Sequence, residues 1–319
     1  MTNETIRGHL RVVAVVVTWN RVKLLAECLT MLDAQTRRPD VVVVVDNAST
    51  DGSEEMIRTR FPDVHLVRLT RNTGGAGGFS AGLAEAVDVH HADLVWAMDD
   101  DTIPSETTLA ELLASYTAYG PGLGLVASRV VWIDGRDQPR NIPRNIPRYP
   151  GRVYRADRRA ALAAGGRPVR TASFVSLLVE AGAIREFGLP TADFFIWNDD
   201  FEFTARLLRH RKGIYASKAI AVHKTAELGT KLVDPGERFY HEVRNKIWVF
   251  RAGEAFAPIE AGTRVGAALR NWVLFYLHSH NKAAMRSGLK EGLRDGLRTR
   301  PRPTREVLAE AGYDLAPHW

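Results

Sequence analysis

The stretch Leu94-Val-Trp-Ala-Met-Asp-Asp-Asp-Thr-Ile-Pro104 runs from apolar residues straight into three adjacent carboxylates, Asp99, Asp100 and Asp101. Residues 94–98 have the length and composition of a buried strand. In an extended chain, residues 99 and 101 point one way and residue 100 the other. Two carboxylates on one face repel each other unless a cation sits between them. Oxygen donors of this kind suit a hard divalent ion, Mn²⁺ or Mg²⁺. The plain alternative is a solvated acidic loop that caps the helix after Pro104.

Upstream of this stretch the pattern is strand–helix–strand. Residues 12–17 and 41–45 are β-branched runs of buried-strand length, and residues 22–34 place Leu24, Leu25, Cys28, Leu29 and Leu32 at helical spacing. A second unit follows, with a helix over 53–61 that begins with Ser53, Glu54 and Glu55, a strand over 64–69 and a helix over 79–89. The alternation predicts an α/β sheet of mainly parallel strands, whose ligands bind at the carboxyl ends. Asp46, Arg71 and Asp99–Asp101 all fall at those ends.

Downstream, residues 134–168 read as a long excursion that is mobile or covers a site. It contains the tandem Arg-Asn-Ile-Pro-Arg-Asn-Ile-Pro-Arg at 140–148, whose prolines bar a regular helix and a central strand. We expect this repeat to line an acceptor entrance. Strand character returns over 172–179 and 220–222, the latter ending at His223, and residues 201–210, 238–250 and 263–277 read as helices. Residues 286–297 repeat every four positions as Arg-Ser-Gly-Leu, Lys-Glu-Gly-Leu and Arg-Asp-Gly-Leu. Residues 264–305 hold ten Lys/Arg against two acidic residues. The glycines at 288, 292 and 296 weaken this helix by about 1 kcal/mol each against alanine, so it needs a surface to lie on.

Composition narrows the class. The 319 residues are 45% hydrophobic and 25% charged, with net charge +6 and pI near 9.5, which suits anionic partners such as nucleotides, diphosphates or acidic lipid. The single cysteine, Cys28, excludes an intramolecular disulfide, sits in a core-like pattern, and points to a cytosolic setting. The apolar runs at 12–17 and 272–277 are too short to span a membrane, which leaves a soluble protein or one attached to a membrane face. No nucleic-acid module is recognisable, so nucleic acid is not expected as a partner.

Each remaining motif has a functional and a bland reading. Asp46 ends a valine strand, where a carboxylate can accept the imide N–H of a pyrimidine base; it can equally be a turn residue of Asp-Asn-Ala-Ser-Thr-Asp-Gly. Asp51 reads as a turn or cap residue. The glycine cluster at 74–78, behind Arg71 and ahead of a helix, offers backbone N–H groups to an anion. Asp199 and Asp200 supply either a general base or a helix cap. His223 at a strand end suits a third metal ligand. Tyr240, Arg244 and Trp248 share a helical face with Asn245 near its edge, a face that fits phosphate or is simply solvated.

Taken together, the segments around Thr18, Asp46–Ser53, Arg71–Phe79, Asp99–Pro104 and Asn198–Phe203, with His223 following, resemble the inverting glycosyltransferases of family 2 over about residues 11–250. The resemblance implies a GT-A fold, a nucleotide-sugar donor, a divalent metal and direct displacement at the anomeric carbon. It implies that Thr18 and Asp46 hold a uridine base, with Arg71 and Asp100 also on the nucleotide-sugar side. Asp99, Asp101 and His223 would hold Mn²⁺ or Mg²⁺, and Asp200 would be the base, with Asp199 its rival. Trp197, Tyr240, Arg244 and Asn245 would serve the acceptor and its phosphates.

Within that family the chain is most similar to the actinobacterial galactofuranosyltransferases of cell-wall galactan synthesis, in particular the enzyme that starts galactan. Asn198 intervenes in their Trp-Asp-Asp pattern. The implied donor is UDP-galactofuranose, and the implied acceptor a rhamnosyl-N-acetylglucosaminyl diphosphate on a polyprenyl lipid. The same motifs also allow a rhamnosyltransferase using dTDP-rhamnose. The expected organisation is a GT-A domain over 1–250, with a nucleotide-sugar half at 11–104 and an acceptor half at 105–250. A basic amphipathic helical region over 251–319 would then lie on the inner face of the cell membrane or join copies in a homo-oligomer. A nucleotidyltransferase is disfavoured, because Thr-Trp-Asn-Arg-Val-Lys offers no N-terminal glycine-rich loop.

Overall fold

A computed structural model describes residues 9–145, 152–228 and 234–319. The valine runs form β1 (Val12–Thr18) and β2 (Val41–Asp46), followed by β3 (His65–Arg68) and β4 (Leu94–Asp99). Between them lie α1 (Val22–Asp33), α2 (Ser53–Arg60) and α3 (Gly74–Ala84), the last widening into a π-helical turn at Glu85–Val89. Next come β5 (Thr102–Pro104), α4 (Thr108–Tyr119), β6 (Leu123–Val131), β7 (Arg144–Asn145), α5 (Arg152–Ala163), β8 (Gly166–Thr171) and β9 (Leu177–Glu180). The remainder is α6 (Ala181–Phe187), α7 (Asp199–Leu207), β10 (Lys212–His223), α8 (Phe239–Ala252), α9 (Pro258–His278), α10 (Lys282–Arg298) and α11 (Thr304–Ala309).

Among the described residues the strands form one sheet in the order β3-β2-β1-β4-β9-β6-β10-β8-β7, with β5 paired to β10. The first four are parallel, as the sequence pattern predicts. The second half is mixed, because β9 runs antiparallel to both β4 and β6. The valines of β1 alternate between two cores. Val13, Val15 and Val17 face Phe79 of α3, while Val12, Ala14 and Val16 join Leu25, Cys28 and Leu109 on the other side. Register then aligns the strand ends: Thr18 lies beside Asp46, and Val17 beside Asp99.

Three expectations change. The excursion at 134–168 contains β7 and the twelve-residue helix α5; the second copy of its repeat runs beyond residue 145, outside the described residues. The glycine cluster lies inside α3, which starts at Gly74 instead of residue 79. The region after residue 250 is no separate appendage. α9 and α10 enclose α8 through Phe239, Val243, Ala268, Trp272 and Met285, and the chain end returns to put Leu308, Ala311 and Leu315 into the core against the sheet.

The α10 glycines have a packing role. A Cβ at Gly292 would lie 2.8 Å from Val243 Cβ, and one at Gly296 2.9 Å from Ile247 Cβ. The surface this weak helix needs is therefore α8, against which the missing side chains permit close approach. Leu289 packs against the Phe239–Val243–Met285 cluster, whereas Leu293 and Leu297 turn outward, 36% and 59% exposed.

Candidate active site

The carboxyl ends of β1, β2 and β4 bring Thr18, Asp46 and Asp99 side by side, and the last residue of β10, His223, reaches the same place. Asp99, Asp101 and His223 each offer a donor atom, and the three lie within 4.8 Å of one another. His223 Nε2 is 3.1 Å from Asp101 Oδ1. On its other side, His223 Nδ1 donates to Asn141 Oδ1 at 2.9 Å, which fixes the ring and turns Nε2 towards the carboxylates.

One cation that the sequence reading missed, Arg21, offsets the aspartates. Arg21 Nη1 donates to Asp100 Oδ1 at 3.1 Å and to Asp101 Oδ2 at 2.7 Å. Thr18 Oγ1 donates to Asp100 Oδ2 at 2.8 Å. Burial, followed by the Asp101 charge, pushes Asp99 up to about 8. Burial also pushes Asp100 up, to about 6, although Arg21 and Thr18 pull the other way. For Asp101 the burial penalty is outweighed by His223 and Arg21, and its pKa is lowered. His223 is raised, because Asp101 and Asp99 overcome its own burial. Carboxylates crowded together in a buried pocket beside an imidazole fit a divalent cation, whose charge would relieve their mutual repulsion. Donor chemistry of two carboxylates and one imidazole suits Mn²⁺ or Mg²⁺.

Asp46 is fully buried; its Oδ1 accepts the Ser49 N–H at 2.9 Å, whereas Oδ2 is buried with no hydrogen-bond partner among the described residues. A buried orphan acceptor at a strand end is costly unless a ligand N–H meets it. Asp51 serves as a turn and cap residue, accepting from Ser53 within its own turn and from Val22 N at the start of α1.

Asp199 and Asp200 open α7 and face different neighbours. Burial, followed by Asp200, pushes Asp199 up to about 8, and Asp199 is among the charges that raise Asp99. Asp200 is less buried; burial raises it, while its bond from the Phe201 N–H and the nearby Lys246 and Arg144 act against the rise. The loop before them is strained: Phe195, Trp197 and Asn198 all have positive φ, of 63°, 64° and 68°.

Several expected ligand contacts instead hold this loop. Asn245 is fully buried and its Nδ2 donates to the carbonyls of Phe194, Ile196 and Trp197 at 3.0, 3.0 and 2.8 Å. Arg244 donates to the Asp193 and Phe194 carbonyls and lies over the Trp248 ring, and Tyr240 donates to Asp295 of α10. These three side chains brace the site from behind instead of reaching for an acceptor. Spacing alone could not reveal this, because the face of α8 that carries them is covered by the loop and by α10.

The glycine cluster is likewise a packing seam and not an anion cradle. A Cβ at Gly74 would fall 1.9 Å from Phe195 O, and one at Gly78 2.4 Å from Val17 Cγ1. Arg71 pairs with Glu310 and donates to Val307 O, on and just beyond α11, so its guanidinium is committed to the chain end. Thr18, 2% exposed, gives its hydroxyl proton to Asp100.

The glycosyl transferase family 2 model matches residues 13–175, which span all three of the strand ends that carry Thr18, Asp46 and Asp99. The chain belongs to that family. The glycosyltransferase is 32% identical over 208 residues to the galactofuranosyltransferase GlfT1 of Mycolicibacterium smegmatis, covering 63% of this chain and 67% of that protein. It is 34% identical over 204 residues to GlfT1 of Mycobacterium tuberculosis, covering 62% and 64%. The match thus spans about two thirds of these relatives. The fold is shared with the crystal structure of S. aureus TarS 1–349 in complex with UDP, at a TM-score of 0.63 and 16% identity over 95% of this chain and 83% of that one. Arg21 and Asn141 are the site residues that the sequence reading missed. Each sits inside a motif noticed for other reasons, the Thr-Trp-Asn-Arg turn and the first Arg-Asn-Ile-Pro.

Proposed function

We propose that this glycosyltransferase moves galactofuranose from UDP-galactofuranose to a polyprenyl-diphosphate-linked rhamnosyl-GlcNAc acceptor, with inversion at the anomeric carbon. The observation that carries the reading is the Asp99–Asp101–His223 cluster at the strand ends of a chain about one third identical to two GlfT1 galactofuranosyltransferases. Asp46 Oδ2 is the acceptor for the uracil imide N–H. Asp99, Asp101 and His223 hold Mn²⁺ or Mg²⁺, which when bound supplies charge stabilisation for the departing diphosphate. Arg21, by donating to both, keeps Asp100 and Asp101 in register with each other.

Asp200 takes the proton from the acceptor hydroxyl. In an in-line displacement the base stands across the reacting carbon from the leaving group, which favours the carboxylate that faces Lys246 and Arg144 over Asp199, which faces the metal ligands. Trp197 and the strained loop present the acceptor edge. A lipid acceptor is met at a membrane face: Leu269, Val273 and Leu277 of α9 and Leu293 and Leu297 of α10 are exposed, with Arg270, Lys290, Arg294 and Arg298 on the same helices. Among the described residues no helix is long and apolar enough to cross a membrane. A contact between copies of the chain is the competing use of these faces.

The test is product mass and UDP release with UDP-galactofuranose, a lipid-linked rhamnosyl disaccharide and Mn²⁺, alongside Asp200→Asn and Asp199→Asn. One added hexose, and loss of turnover with retained UDP binding in Asp200→Asn, support the reading. Turnover with dTDP-rhamnose alone overturns the donor. Turnover that survives Asp200→Asn but not Asp199→Asn moves the base to Asp199.

A further inference from the structure

A second group of metal-ligating side chains lies at the other end of the sheet. His65 opens β3, Glu85 starts the π-helical turn, and His90 follows that turn. Their donor atoms lie within 4.8 Å of one another. β4 alone, from Leu94 to Asp99, rises about 17 Å, so this group is remote from the carboxyl-end site.

The backbone is shaped to bring the three together. In an α-helix, residues five apart are about 140° round the axis and cannot face one ligand. The turn at Glu85–Val89 is wound instead by π-type bonding, with the His90 N–H donating to Glu85 O at 3.2 Å. Such single-turn insertions interrupt α-helices mainly at functional positions. The turn is then fixed by Arg11, whose Nε donates to His90 O at 2.7 Å, and by the positive φ of 51° at His91.

The side chains carry matching marks. His65 Nε2 is 2.8 Å from Glu85 Oε1, and the two imidazoles meet edge to face with ring centres 4.7 Å apart. His90 Nε2 is buried and has no hydrogen-bond partner among the described residues. Tyr313 donates to Glu85 Oε2 at 2.8 Å, which orients the carboxylate and leaves Oε1 towards His65.

We propose that His65, Glu85 and His90 form a second metal site, for Zn²⁺ or a similar borderline transition ion, that staples the β3 edge to the end of α3 and to the returning C-terminal segment. Two imidazoles and one carboxylate are a zinc donor set, with bonds of about 2.0–2.1 Å and a fourth position left to water. This choice separates it from the carboxylate-rich site at the other end of the sheet, which suits harder ions. Through Tyr313 the ion also ties the chain end to the core.

The experiment uses the full chain carrying Asp99→Asn and Asp101→Asn, which removes the first site. Zn²⁺ is titrated by calorimetry, Co²⁺ by its visible absorption, and the melting temperature is read with and without Zn²⁺. One equivalent of Zn²⁺, a tetrahedral-type Co²⁺ spectrum and a raised melting temperature are expected. His65→Ala and, separately, His90→Ala in the same background remove all three. His65 is 41% exposed at its side chain, so its replacement keeps the fold should that of His90 not. Absence of stoichiometric Zn²⁺ in the Asp99→Asn, Asp101→Asn chain overturns the site, as does Zn²⁺ binding that survives both histidine replacements. Neither outcome bears on the transfer reaction.

Discussion

The imidazole of His223 stands between Asn141 and Asp101: Nδ1 donates to Asn141 Oδ1 at 2.9 Å, and Nε2 faces Asp101 Oδ1 at 3.1 Å. Asn141 Nδ2 is itself held by Ser173 Oγ at 3.0 Å, so the ring is oriented by a chain of bonds that starts in the proline-flanked repeat. Removing that chain leaves Asp99, Asp101 and His223 in place but frees the ring to turn. Asn141→Ala is therefore expected to raise the Mn²⁺ concentration needed for half-maximal turnover by about 10–100-fold. Maximal turnover at saturating Mn²⁺ should change far less. Titration of the rate with Mn²⁺ checks this, and an unchanged midpoint would show that Asn141 does not orient a metal ligand.

The titration states of the same site set a pH dependence. Asp99 is raised to about 8, so in the metal-free protein it is protonated at neutral pH, and a binding cation must expel that proton. Apparent Mn²⁺ affinity should rise with pH, by up to about tenfold per unit for one proton, and flatten above about 8. The raised His223 adds to the slope. Calorimetric affinities from pH 6 to 8.5 test this, with the released protons seen as a buffer-dependent enthalpy.

Stability follows the same linkage with the opposite sense. Because the folded-state pKa of Asp99 lies above its unfolded value of about 4, the folded chain binds more protons between these limits. Its contribution is complete at low pH and is lost as pH rises through about 8. In excess chelator, Asp99→Asn is expected to melt higher than the parent at pH 8, with the gap narrowing towards pH 5. Melting curves across that range decide it.

The loop before Asp199 is held in its positive-φ path by Asn245. Asn245→Ala strands three carbonyls in a buried setting, at a cost of about 1–3 kcal/mol for a buried group left unpaired. Turnover should fall at least tenfold as Trp197, Asp199 and Asp200 shift. UDP affinity, which the proposed function assigns to the β1–β2–β4 ends, should stay within a few-fold. Equal losses of both would mean that Asn245 supports the whole fold and not this loop.

The α10 glycines give a test that runs against helix propensity. Gly292→Ala gains about 1 kcal/mol in an isolated helix. Here its Cβ would sit 2.8 Å from Val243 Cβ and 3.0 Å from Tyr240 O, and such overpacking costs about 1–3 kcal/mol. The variant is expected to melt lower than the parent. A higher melting temperature would show that α10 does not lie against α8.

The chain by itself determined the periodic and local features. Valine runs at 12–17 and 41–45 read as buried strands between helices, and the step from apolar residues into Asp99–Asp101 marks a strand end where carboxylates gather. His223 was legible for the same reason, as a metal-ligand type at the end of a β-branched strand. Tertiary structure decided everything that depends on which faces meet. Arg21 lies about eighty residues from Asp100 in the chain, and Asn141 about as far from His223, so no local pattern pairs them. The glycines of α3 and α10 read locally as an anion loop and as a weak helix. Close approach to Phe195, Val17 and Val243 makes them packing positions, because absence of a side chain has meaning only against the neighbour that fills the space. Arg244 and Asn245 resemble ligand contacts on an isolated helix, but the loop that runs across α8 uses their hydrogen bonds, and the basic C-terminal stretch ends inside the core because Leu308, Ala311 and Leu315 find an apolar face there.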